Sequence, residues 1–235
     1  MEQMKLFDDV VDLEICDKHE GKMKGMMSLS TSCMSNPCCL RNQEISGSIC
    51  QKCYAVSLQE YRKGIKERGD RNAALLTNEV IPMDRLPFIN ARVFRFEAFG
   101  DIYNSTHLEN YVNIAIKNPQ CRFTLWTKNY LVALAFFAKH KEPDNFTLII
   151  SSLFLNQPQD VTPFEKLGLK NLKVFTVYTK KYLDSHPTVR INCGGRRCLT
   201  CLRCYLPNDE RYVNEILKQD RTAYEKEHAV GDDED

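Results

Sequence analysis

The sequence predicts an α/β fold: a partial (β/α)6 TIM-like barrel with a cysteine-rich N-terminal loop and a C-terminal metal- or cluster-binding loop. Three observations predict it. Six short β-type runs recur along the chain, helix-type stretches separate them as in parallel strands joined by crossover helices, and most of the eleven cysteines gather in two groups. A chain of 235 residues with 43% hydrophobic and 27% charged residues can bury a core without staples. The expected organisation is one barrel-like domain over 1–208 that includes both cysteine groups, a C-terminal helix over 209–228, and an acidic tail over 229–235.

The strands are expected at Met26–Thr31 (MMSLST), Arg92–Ala98 (RVFRFEA), Cys121–Thr127 (CRFTLWT), Phe146–Ser152 (FTLIISS), Lys173–Thr179 (KVFTVYT) and Val189–Asn192 (VRIN). Each is short and rich in β-branched or aromatic residues. Between the second and third, Thr106 and Glu109 have capping-box spacing, and Leu108, Tyr111, Val112 and Ala115 then share one helical face. Leu131, Leu134, Ala135 and Ala138 repeat that spacing in the next interval. A last helix is expected over Asp209–Glu227.

The segment FTLWTKNYL at Phe123 resembles FTVYTKKYL at Phe175, which predicts equivalent positions. On a period of two, Phe123, Leu125, Phe175 and Val177 would face the helices, and Thr124, Trp126, Thr176 and Tyr178 would face inward. In RVFRFEAFGD, Phe94, Phe96 and Ala98 form one face while Val93, Arg95 and Glu97 form the other. Charged Arg95 and Glu97 inside a barrel require partners. Gly100 and Asp101 follow the strand end, where barrel sites are built.

Charge and targeting narrow the function. Lysine plus arginine (32) nearly balances aspartate plus glutamate (31), so no global field favours nucleic acid or membrane. The first twenty residues carry acids and lack the order of a secretory signal, so the mature chain is expected to begin at Met1. The apolar run Leu131–Ala138 is far shorter than the roughly 20 residues that span a bilayer. A soluble, cytoplasmic protein is the expectation, and in reducing cytosol clustered cysteine points to metal.

The late group, CGGRRCLTCLRC, has the spacing C-x4-C-x2-C-x2-C through Cys193, Cys198, Cys201 and Cys204. Four thiolates can close around zinc or ligate an iron–sulfur cubane, and the spacing suits both. Arg196, Arg197 and Arg203 are expected to favour the thiolates. The early group offers Cys33, Cys38, Cys39, Cys50 and Cys53, with a C-x2-C step at Cys50 and Cys53. Cys33 and Cys38 or its neighbour Cys39 would complete a second site. Cys16 and Cys121 read as buried apolar side chains.

The segments CQKCYA, FRFEAFGDIYNSTHLENYVNIAIKNPQCRFTLWTK and the terminal cysteine run together resemble the phage and prophage family called gene product 88. The resemblance covers about Met27–Tyr205. Its specific parts are Cys53-Tyr54-Ala55, Gly100-Asp101 and Trp126-Thr127-Lys128. The family pattern has histidine where this chain has Glu97, and Ser-Gly-Asp where it has Phe99, Gly100 and Asp101, which bears on the acid–base role of position 97.

The resemblance implies a phage-infected or prophage-bearing bacterial host and a layout similar to radical S-adenosylmethionine enzymes, whose barrels carry a cubane after the first strand. The C-x3-C-x2-C triplet of those enzymes is absent here, since the early group reads C-x4-C-x11-C-x2-C. The expected cofactor is one or two 4Fe-4S clusters, with zinc as the alternative and S-adenosylmethionine as a further ligand.

Glu97, Asp101, Lys128 and Lys180 are the candidate catalytic residues at strand ends, and Arg95, Thr127, Ser151 and Thr179 the candidate cofactor-binding residues. Redox or radical chemistry on a small-molecule or macromolecular substrate, with an electron donor, is the first functional expectation. A zinc-binding module for nucleic acid or a host protein is the second, supported by the arginines between Arg190 and Arg203.

Overall fold

The computed structural model describes residues 10–228. Six strands, β1 (Met27–Leu29), β2 (Val93–Phe96), β3 (Arg122–Thr127), β4 (Phe146–Ser151), β5 (Leu172–Tyr178) and β6 (Tyr212–Ile216), form one sheet in the order 1-2-3-4-5-6. Every neighbouring pair is parallel. Sequential order with right-handed crossovers places the main helices on one face. β1 and β6 are not paired with each other, so the sheet is open and the expected barrel closure is not seen.

The helices are α1 (Pro37–Glu44), α2 (Tyr54–Tyr61), α3 (Lys63–Thr77), α4 (Ser105–Lys117), α5 (Tyr130–Phe137), α6 (Thr162–Lys166), α7 (Lys180–Ser185), α8 (Cys198–Cys201) and α9 (Arg221–His228). The main core lies between the sheet and this helical layer. Phe94, Phe96, Phe123, Leu125, Phe146, Leu148 and Ile150 meet Leu108, Tyr111, Val112 and Ala115 of α4 and Ala133, Phe136 and Phe137 of α5. Phe96 stacks between Tyr111, at 4.1 Å, and Phe123, at 5.3 Å.

The first five strands form where the sequence places them, and the sixth does not. Val189–Asn192 forms no strand and only flanks β6, through hydrogen bonds between Asn192 and both Tyr212 and Asn214 and the bridge from Cys193 to Glu215. β6 instead arises inside the segment expected to be the last helix, and only Arg221–His228, after a 3-10 turn at Lys218–Asp220, is α-helical. Tyr212, Val213, Ile216 and Leu217 have helix-like spacing, yet the open edge of β5 captures them as a strand, with Val213 and Ile216 buried on opposite faces. The expected domain limit at 208 therefore cuts through the sheet. The expected acidic tail at 229–235 lies outside the described residues.

Three local expectations are also corrected. Asn104, not Thr106, caps α4, and its side chain accepts a hydrogen bond from the His107 N–H at 2.9 Å. On α5 the buried residues are Ala133, Phe136 and Phe137, while Leu131 is exposed, because the sheet meets the aromatic side of the helix. The two similar segments are not equivalent: Ile150 pairs with Val174 and Ser151 with Phe175, so Phe175 lies on the face opposite to Phe123. Tyr178 accordingly packs with Leu183 of α7 instead of facing inward. Register follows the apolar rows of neighbouring strands, and a one-residue offset exchanges the faces.

Two loops cover what the helices leave open. The early loop crosses the C-terminal ends of the strands, where Ile49 N–H donates to Leu153 C=O at 2.9 Å. The late loop lies on the face opposite the helices. There Cys198, Leu202, Cys204 and Tyr205 pack with Met23, Met26, Val93 and Trp126. Thr124 of β3 donates its hydroxyl to the Cys204 carbonyl at 3.1 Å. No described helix is long and apolar enough to cross a membrane.

Candidate functional site

The early thiols are positioned by polar residues around the ends of β1 to β3. Asn36 caps α1, accepting from Cys38 N–H at 2.8 Å and Cys39 N–H at 3.3 Å, and its amide donates to the Asp101 carbonyl at 2.6 Å. This fixes the Cys38-Cys39 pair against Asp101. Cys53 sits at the N-cap position of α2. The Cys33 thiol and the N–H groups of Ala55 and Val56 favour the Cys53 thiolate and hold it below the usual thiol range, against the effect of burial. The same contact with Cys53, together with burial, pushes Cys33 upward.

Lys128 follows β3 and faces this group. Burial acts to lower its ammonium, but Cys50, Asp101, Cys53 and Cys39 outweigh it and keep the pKa above the ordinary lysine value. Cys39 shares the electrostatic neighbourhood of Cys33, Asp101, Glu97 and Lys128. Cys38 is held up to about 12 by burial and Asp101, with Arg41 and Asn42 opposing. Cys39 is thus the better neighbour of Cys33 and Lys128, a choice the sequence left open. A cavity of about 300 Å³, lined by Gln43, Cys50, Lys52, Cys53 and Val56 among others, opens beside the C-x2-C step.

The two expected catalytic carboxylates lie behind this mouth. Glu97 has a φ of 56°, which breaks the strand alternation and turns its side chain away from Arg95. It accepts from Thr31 N–H at 3.1 Å, Thr31 Oγ1 at 2.9 Å and Tyr111 Oη at 2.7 Å. His107 Nε2 stands 3.5 Å away. Because His107 Nδ1 accepts from Tyr103 N–H at 3.2 Å, the imidazole proton is on the nitrogen facing Glu97. Burial pushes Glu97 up to about 8 and lowers His107 to about 3.

Asp101 accepts from Lys128 N–H and Ile102 N–H, each at 2.8 Å, and from the Thr127 hydroxyl. Burial raises its pKa, while these donors oppose the rise. At 2% and 5% exposure, Glu97 and Asp101 are sealed, and they organise Thr31, Thr127 and the backbone of Lys128. The other expected residues divide. Ser151 is buried at the end of β4, and the Thr127 hydroxyl is committed to Asp101 and Asn129. Thr179 caps α7, and Lys180 is paired with Asp184 at 3.0 Å, so neither joins the thiols.

The late thiols form a separate neighbourhood. Burial raises Cys193, Cys198 and Cys204, the last to about 12, and Cys201 acts on each of them. The cations that oppose this rise are Lys22 and Arg95, not the expected arginines of the loop. Lys22 Nζ stands 3.8 Å from Cys193 Sγ and also pairs with Glu215, whereas Arg203 pairs with Glu210. Arg95 lies 4.0 Å over the Trp126 ring.

Lys22 is not legible in the sequence as a partner of these thiols, because a contact across 171 residues, such as Lys22 to Cys193, leaves no local spacing signal. Thr31, Asn36, His107 and Tyr111 were hidden in the same way around Glu97 and Asp101. Of the isolated cysteines, Cys121 is buried as expected and Cys16 is only half-buried.

Among the described residues, no three His, Cys, Asp or Glu side chains stand at metal-ligating geometry. The late donor set still fits a thiophilic group: its four sulfurs are neighbours, two cations face them, and apolar side chains shield one side. The linking glycines are uncrowded, since a methyl group at Gly194 would meet nothing within 4 Å and one at Gly195 only Arg221, at 3.9 Å.

Comparison with curated proteins and with solved structures gives no match. The family model described as gene product 88 matches residues 16–225, which include both thiol groups and all six strands. The chain therefore belongs to the gene product 88 family.

Proposed function

We propose that the protein is an iron–sulfur protein with two thiolate sites on an open (β/α)6 sheet, laid out as in radical S-adenosylmethionine enzymes. Cys193, Cys198, Cys201 and Cys204 would hold one cluster. Cys33, Cys39, Cys50 and Cys53 would form the second site, at the C-terminal ends of the strands, where open α/β folds bind ligands. The observation that carries this reading is the gathering of Cys38, Cys39, Cys50 and Cys53 around Lys128 and Asp101, with Cys33 against Cys53, and of Cys193, Cys198 and Cys204 beside Lys22 and Arg95, with Cys201 among them. When bound, such clusters supply one-electron chemistry.

The residues of the mouth have distinct tasks in this reading. The Lys128 ammonium remains charged and binds an anionic group of the substrate or ligand beside Cys50 and Cys53. Asp101 fixes the Lys128 backbone and Thr127. Glu97 holds Thr31 and thereby the start of the early loop, so both carboxylates position the site from behind it.

Iron, zinc and acid-labile sulfide per chain, measured after strictly anaerobic purification, test the reading. About eight irons and eight sulfides per chain are expected for two cubanes. The double variant Cys198→Ser/Cys201→Ser should remove one cluster and Cys50→Ser/Cys53→Ser the other. Binding of S-adenosylmethionine to the reduced protein is the next measurement. Zinc without sulfide would overturn the redox reading and leave a zinc-binding interaction module.

A further inference from the structure

Two buried donors beside the late thiols lack an acceptor. Arg95 Nε is fully enclosed and makes no hydrogen bond among the described residues, and the enclosed Tyr205 hydroxyl has the Arg95 guanidinium beside its oxygen but no acceptor for its own proton. Buried polar groups are otherwise paired almost without exception, so each such orphan asks for a partner. Arg95 Nη1 reaches the Met23 sulfur at 3.4 Å, the guanidinium plane rests on Trp126, and the Tyr205 oxygen is a further polar neighbour. No carboxylate pairs with the half-buried Arg95 among the described residues. The nearby groups able to bear negative charge are the sulfurs of Cys198 and Cys204, and Tyr205 directly follows Cys204.

We infer that Arg95 and Tyr205 are the hydrogen-bond donors that hold sulfur-borne negative charge at the late thiolate site. They are positioning residues in this role, and the inference rests on the reading of that site as an iron–sulfur centre. The two donors come from different parts of the chain, β2 and the late loop, and the Trp126 ring lies beside both, 5.6 Å from Tyr205. Loss of a donor to cluster sulfur disfavours the more negative reduced state and lowers the reduction potential.

The test uses full-length Tyr205→Phe, Arg95→Gln and Arg95→Lys variants, purified anaerobically. Iron and sulfide content is measured together with the reduction potential of each cluster, followed by electron paramagnetic resonance. The Cys198→Ser/Cys201→Ser variant identifies the late signal. Retained iron and sulfide is expected, with a negative shift of the late potential in Tyr205→Phe and Arg95→Gln, partial recovery in Arg95→Lys, and an unmoved early potential.

Full metal content with an unshifted late potential in Tyr205→Phe would overturn the inference alone. Because that variant removes only the hydroxyl, it decides the matter even if Arg95→Gln fails to fold. Wild-type protein without sulfide would overturn the iron–sulfur reading and this inference together.

Discussion

Gly100 has no room for a methyl group. A Cβ there would lie 2.6 Å from Glu97 Oε2, Thr31 O and Thr31 Oγ1, all parts of the network behind the mouth. Gly100→Ala should therefore destabilise the fold by about 1–3 kcal/mol, read as a lower melting temperature in calorimetry. Glu97 provides a second test at this scale. Its folded pKa, pushed by burial to about 8, lies above the unfolded carboxylate value. Between about pH 4.5 and 8 the folded state thus holds more protons than the unfolded state, and stability falls as pH rises through that window, by at most about 1.4 kcal/mol per pH unit. Glu97→Gln should flatten that slope in urea titrations at pH 5.5, 7 and 8.5, while an unchanged slope would assign the pH dependence to other groups.

At the scale of elements, three contacts bear on the late loop: the Thr124 hydroxyl donates to the Cys204 carbonyl, and Glu215 of the neighbouring β6 pairs with Lys22, which stands 3.8 Å from Cys193, and with Arg221 at 2.9 Å. Glu215→Gln weakens two of these and should destabilise the protein by about 1 kcal/mol. Hydrogen exchange over residues 193–206 should accelerate more than exchange in β3 and β4. The same scale shows what was legible in the sequence. β1 to β5 announce themselves because parallel strands buried on both faces read as short apolar runs, as in the wholly buried FTLIIS of β4. β6 was hidden because a strand at the sheet edge is chosen by its neighbour, and the orientation of Glu97 because one left-handed residue reverses alternation. The cysteine spacings named both thiol groups, but which of Cys38 and Cys39 faces Lys128 depends on the Asn36 cap and its tie to Asp101.

For the whole molecule, the position of β6 makes the C-terminal segment part of the core. A chain ending at residue 208 would lose β6, expose the edge of β5 and leave Val213 and Ile216 out of the core. Such a chain should lack a cooperative thermal transition by circular dichroism, whereas a chain ending at 228 should retain it. Stable folding of the shorter chain would show that β6 is an accessory strand.

The pairing of Lys22 with Glu215 also bears on how the protein is made. The face opposite the helices cannot be covered until nearly the whole chain has left the ribosome. At the roughly 5–20 residues per second of synthesis, Cys53 waits on the order of 8–30 s for Cys204 to follow it. During that interval the early thiols are accessible to metal donors and oxidants alike. If the sites hold clusters as proposed, loading of the early site would precede completion of the late one, and the supply of metal during synthesis would determine the yield of fully assembled protein.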